Sequence, residues 1–173
     1  MIRKARLALA GLGAMGMLTA LSGCGLHPVY AGGANGAVAQ GLAGIDVSAI
    51  SGREGWLVRN ALNDRLGQGS GSNASPHYRL DVLLDDQLEG LGLLTDETIG
   101  RERRTLRARY QLVEIASGAI LVDATAESDA GIDVVSSEYA TIAAEQSALE
   151  NIAQQVADRI VTRLTLALTN RQP

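Results

Sequence analysis

At 173 residues, with 46% apolar residues, no Phe, one Trp and a single Cys, the chain is long enough to bury the core of one domain, and it excludes a disulfide framework. Its 19 acidic residues outnumber 15 basic ones, a net charge of −4, which argues against a nucleic-acid partner and against bulk attraction to an anionic surface.

The chain opens on a basic cluster, Arg3, Lys4 and Arg6, followed by an uncharged run from Leu7 to Leu21 and the tetrapeptide Leu21-Ser22-Gly23-Cys24. The run is shorter than the roughly 20 apolar residues that span a bilayer. A charged start, a short apolar stretch and small residues at the cut make a secretory signal. Here residues 1–23 read as a lipoprotein signal peptide that leaves Cys24 as the new N-terminus. Its freed amine and its thiol then carry an N-acyl chain and a diacylglycerol, palmitate-type modifications that act as an anchor and not as a cofactor. Each buried methylene adds about 0.8 kcal/mol, so several chains hold a protein to a membrane where one does so weakly. Gly25, not Asp, follows the cysteine, which favours the periplasmic face of the outer membrane over retention at the inner one. Loss of Arg3, Lys4 and Arg6 with the leader makes the mature chain more acidic still.

Residues 24–43 are rich in Gly and Ala without apolar period and read as a flexible tether, with a folded domain over 44–173. Ile45, Val47 and Ala49 alternate with polar residues as a short strand. Ser51 and Glu54 have capping-box spacing ahead of a helical stripe of Leu57, Val58, Ala61, Leu62 and Leu66, which Gly67 and Gly69 stop. Three period-two sets follow: Tyr78 to Leu84, Leu106 to Leu112, and Ile120 to Ala126. They predict an antiparallel meander with a long first connection, about Asp86 to Arg101, and a tight second one at Ser117-Gly118. From about Ser137 a long helix carries Leu149, Ile152, Val156, Ile160 and Leu164 on one side. One apolar face per sheet and one stripe per helix predict an α+β two-layer sandwich, two helices on one face of a four-stranded mixed sheet, in the order βαβββα. A crossover through the first helix sets the first strand parallel to its neighbour.

The other sheet face is left uncovered, with Arg79, Asp81 and Asp85, then Arg103, Thr105, Arg107 and Arg109, then Asp123, Thr125, Glu127 and Asp129. Five arginines, Arg101, Arg103, Arg104, Arg107 and Arg109, fall within nine residues. Two readings stay open for them. They pair across the strands with neighbouring acids, or they grip phosphates and carboxylates of a ligand through two parallel hydrogen bonds each. Leu91-Gly92-Leu93-Leu94 at the long tip either touches acyl chains or packs on itself. Catalysis has little footing: His27 and His77 lack a partnered nucleophile, and the chain has no nucleophile elbow, metal-ligand cluster or phosphate loop.

These residues resemble the LptE (RlpB) family of lipopolysaccharide-assembly lipoproteins over nearly all of the mature chain. The resemblance runs through Gly23-Cys24-Gly25-Leu26-His27-Pro28-Val29-Tyr30, then Arg53, Leu57, Arg59, Asn60, Leu62 and Leu66. It continues in Tyr78-Arg79-Leu80, Arg104, Tyr110, Leu112, Gly118, Tyr139-Ala140, Ala144-Glu145 and Ala148. The family more often has an aromatic at the position of Leu26 and a Leu at that of Val29. The resemblance implies a non-enzymatic outer-membrane protein of Gram-negative bacteria that plugs the lumen of the LptD β-barrel, helps it assemble, and helps insert lipopolysaccharide in the outer leaflet. It also implies lipopolysaccharide binding, for which the five arginines are the candidate residues. An auxiliary lipoprotein of an ABC-type lipid transporter and a structural envelope-linking lipoprotein are the alternatives.

Overall fold

The structure, a computed structural model, describes residues 37–67, 75–91 and 100–170. The signal peptide, Cys24 and the tip residues Gly92 to Leu94 lie outside them. The chain order is α1 (Ala37–Ala43), β1 (Ile45–Val47), α2 (Gly52–Leu66), β2 (Tyr78–Gly90), β3 (Arg101–Glu114), β4 (Ile120–Asp133) and α3 (Glu138–Thr169). The sheet order is β1-β2-β3-β4, with β1 parallel to β2 and the other pairs antiparallel. This is the expected α+β sandwich with two long helices on one face, preceded by one short helix.

That helix, α1, falls in the stretch read as tether. Its Leu42 is buried in the core, and Gly41 lies against Leu168 near the end of α3. Glycine-rich composition hides the helix, because Leu42 is its one buried apolar residue among the described side chains. The packed domain therefore begins before Gly44.

Alternation puts Leu80, Val82, Leu106, Ala108, Tyr110, Leu112 and Ala126 on the helix side of the sheet, where they meet Val58, Leu62 and Leu66 of α2 and Ile152, Val156, Ile160 and Leu164 of α3. With no Phe available, Tyr110 is the largest fully buried side chain. Two glycines are required by shape. At Gly67 the backbone enters the left-handed region, φ 76°, and its N–H returns to the Asn63 carbonyl to close α2. At Gly55 a Cβ would stand 2.7 Å from the Ile50 carbonyl oxygen, so only glycine lets the chain leaving β1 pack on the first turn of α2.

Several sequence expectations shift. Ala49 is exposed beyond the end of β1. Ser51 precedes α2 in extended conformation but makes no side-chain capping bond, because Gly52 starts the helix at φ 85° and breaks capping-box geometry. The strands β2 and β3 run to Gly90 and from Arg101, so the first connection is shorter than the span read from Asp86. There the ladder is held by backbone pairing and charge, from Asp86 opposite Leu106 to Gly90 opposite Glu102, and not by apolar alternation.

Candidate functional site

β1 covers β2 only from Tyr78 to Leu80, and no described helix lies on the outer face of the sheet, the side of Arg79 and Arg107. That face is a regular surface left uncovered among the described residues. Its β3 row is Arg101, Arg103, Thr105, Arg107, Arg109 and Gln111. Opposite them in register on β4 stand Asp133, Gly131, Asp129, Glu127, Thr125 and Asp123. Alternation on both strands aims these side chains the same way, and ion pairs result: Arg101 with Asp133 at 3.3 Å, Arg103 with Asp129 at 3.8 Å, Arg107 with Glu127 at 3.1 Å and Arg109 with Asp123 at 3.2 Å. Gly131 leaves the room across which the Arg101 guanidinium lies.

Four of the five candidate arginines are therefore brought into one exposed row, each already paired with an acid. Hydrogen bonds from Arg109 and then from Gln111 hold the Asp123 carboxyl below the usual carboxylate range. On β2, the Ser48 hydroxyl donates to Asp81 at 2.6 Å, and Arg79 donates to it at 3.0 Å. Together they lower the Asp81 pKa, Ser48 contributing most. In the middle of these charges stands Leu83, 75% exposed, beside Asp81, Arg109 and Gln111 around a shallow hollow of about 280 Å³.

Arg104 belongs elsewhere. Adjacent strand residues face opposite ways, so Arg104 shares the helix side with Leu106 and Ala108. Its guanidinium holds Asp86 through two hydrogen bonds, 2.9 and 2.6 Å, and reaches the Glu145 carbonyl of α3 at 3.4 Å. Both side chains of the pair are 18% exposed, and the Asp86 contact raises the Arg104 pKa further. Parity with Leu106 is the sequence signal that separates Arg104 from Arg103.

A second polar region lies between the helices. Arg65 holds Asp158 with two hydrogen bonds, one of 3.1 Å, and depresses its pKa; Arg53 meets Glu150 at 3.8 Å. Trp56, 62% exposed, lines a groove there with Asn60, Asp64, Glu150 and Gln154. Among the described residues no group of three His, Cys, Asp or Glu is arranged to hold a metal, and no helix is long and apolar enough to cross a membrane. His77 is exposed at the start of β2.

The description of the LptE family, lipopolysaccharide assembly, matches residues 42–164. Among solved structures, a protein of Caulobacter crescentus assigned as a lipoprotein is 26% identical, with a TM-score of 0.66 over 80% of this chain and 99% of its own. The rare lipoprotein B of Shewanella oneidensis is 14% identical at TM-score 0.53, over 75% of this chain and 98% of its own. A minor lipoprotein of Acinetobacter baumannii is 16% identical at TM-score 0.53, over 75% and 91%. The last two show a shared fold. No curated protein sequence matches the chain.

Proposed function

The chain belongs to the LptE lipopolysaccharide-assembly family, and from that membership we propose that it is a lipoprotein anchored through Cys24 at the periplasmic face of the outer membrane. There its domain occupies the lumen of an LptD-type β-barrel, helps that barrel assemble, and assists insertion of lipopolysaccharide into the outer leaflet.

The observation that carries the reading is the uncovered outer face: a broad, regular surface with four β3 arginines neutralised in place by β4 acids. A porin-type lumen is polar, and a plug must present charge without a wide apolar patch. Within the arginine row, Arg101 and Arg103 lie nearest the β2–β3 tip, and their ion pairs, 3.3 and 3.8 Å, are longer than those of Arg107 and Arg109. Exposed pairs of this kind are worth about 0–1 kcal/mol each, so a lipopolysaccharide phosphate that offers a guanidinium two short bonds can displace the carboxylate. In this account Arg101 and Arg103 are the contacts, Arg107 and Arg109 extend the row, and Arg104 positions the strand.

Purification of the tagged protein from outer membranes in mild detergent tests the reading. A single large β-barrel recovered in about equal amount is the expected result, and Cys24→Ser is expected to lose its acyl chains on intact-mass measurement. Recovery of an inner-membrane transporter complex in place of the barrel contradicts the assignment.

A further inference from the structure

β1 ends at Val47 and pairs β2 only as far as Leu80, where the Leu80 carbonyl accepts the Ser48 N–H. Backbone groups alternate sides along a strand. Those of Val82, Leu84, Asp86 and Leu88, which share the parity of Leu80, therefore turn toward the side that β1 has left. No described residue bonds them there. Such a row, with no bond from any described residue, is a template for another strand.

The charges beside this slot are one-sided. On the outer face, among the described residues, Asp85 takes one hydrogen bond, from Gln87, and Glu89 has no cationic partner. The arginines opposite them in register, Arg107 and Arg103, pair with Glu127 and Asp129 across the sheet. On the helix face, Leu84 is half-buried and Leu88 is 45% exposed. The opposite edge of the sheet differs: the acids of β4 are spent on β3, and Arg159 of α3 already donates to the Glu127 carbonyl.

We propose that the open edge of β2, Val82 to Gly90, receives an extended segment of the barrel partner as an added strand in line with β1. The segment carries Lys or Arg toward Asp85 and Glu89 and apolar residues toward Leu84 and Leu88. This rests on the barrel reading above and specifies how the partner is held. A polypeptide fits the slot and a lipid does not, because only a second backbone repeats donors and acceptors at the pitch of the edge.

Amide hydrogen exchange tests the inference, on the full-length lipoprotein in detergent, free and in the complex purified from outer membranes. Exchange of the peptide covering Val82 to Gly90 is expected to slow at least tenfold in the complex. The double variant Asp85→Lys/Glu89→Lys is expected to keep the melting temperature of the parent while recovering several-fold less barrel. Equal exchange in both states, with the barrel present, overturns strand addition and leaves the barrel reading intact; so does full recovery of barrel by the variant. Absence of any barrel overturns both.

Discussion

The two faces of this sheet use opposite means. The helix-side face is dry: Leu80, Leu106, Leu112, Ile152, Ile160 and Leu164 have no exposed surface, and burial at about 25 cal/mol per Å² is what holds the layers together. The outer face contributes little by burial and holds its charges in cross-strand pairs, which neutralise the surface without closing it. A domain can therefore lose a charge on the outer face and stay folded, whereas a void on the helix side reaches every layer. Stability is carried by one face of the sheet and charge by the other.

The largest effect belongs to the dry face. Leu106→Ala is expected to cost about 2–5 kcal/mol in urea unfolding, because the site is enclosed by β2, β4 and α3 and collapses poorly around a cavity. A loss under 1 kcal/mol would dissolve the contrast between the faces.

Arg104 sharpens it, being the one candidate arginine on the dry side. Arg104→Leu leaves Asp86 partly buried without its guanidinium, so a loss of about 1–3 kcal/mol is expected. Asp86→Asn in the same background should recover part of that loss, since the uncompensated charge is then gone. Arg107→Ala, on the outer face, is expected to cost less than about 1 kcal/mol, and the difference from the parent should shrink further as salt is raised.

Acid gives the smallest effect. Asp81, Asp123 and Asp158 have folded-state pKa values below their unfolded ones. Their contribution is thus fully present above the unfolded value, about 3.9 for Asp, and is lost as pH falls through the lower folded values. Melting temperatures should be flat from pH 7 to 5 and decline below about 4. An increase in stability on acidification across that lower range would contradict the pairing described for these three groups.

Much of this was legible in the sequence, for reasons tied to particular residues. Period two from Tyr78 to Leu84 and from Leu106 to Leu112 marks strands because one face of each is buried, and Gly67 and Ser117-Gly118 mark stops that need a left-handed backbone or a tight turn. The helix at Ala37–Ala43 was not legible, since Gly and Ala dominate it and Leu42 shows no helical period with its described neighbours. Nor was the distal half of β2, where Asp85, Asp86 and Gln87 are held by the ladder to β3 and not by burial. The arginine row was visible as a cluster, and so was the set of acids for Arg107 and Arg109, with Asp123 and Glu127 of β4 in it beside Asp81 and Asp85 of β2; which of them each guanidinium meets was not, because it depends on register, and register shifts near Leu112 and Val113. The open edge of β2 was hidden for the same reason, because it follows from where β1 stops.

If the outer face lies against the barrel wall, as the proposed function places it, then Leu83, 75% exposed amid its charges, touches that wall. A photo-crosslinking amino acid at Leu83 in growing cells should join the protein to one large outer-membrane β-barrel. Crosslinks to an inner-membrane transporter subunit alone, or none at all from a correctly localised protein, would rule out a barrel lumen around this face.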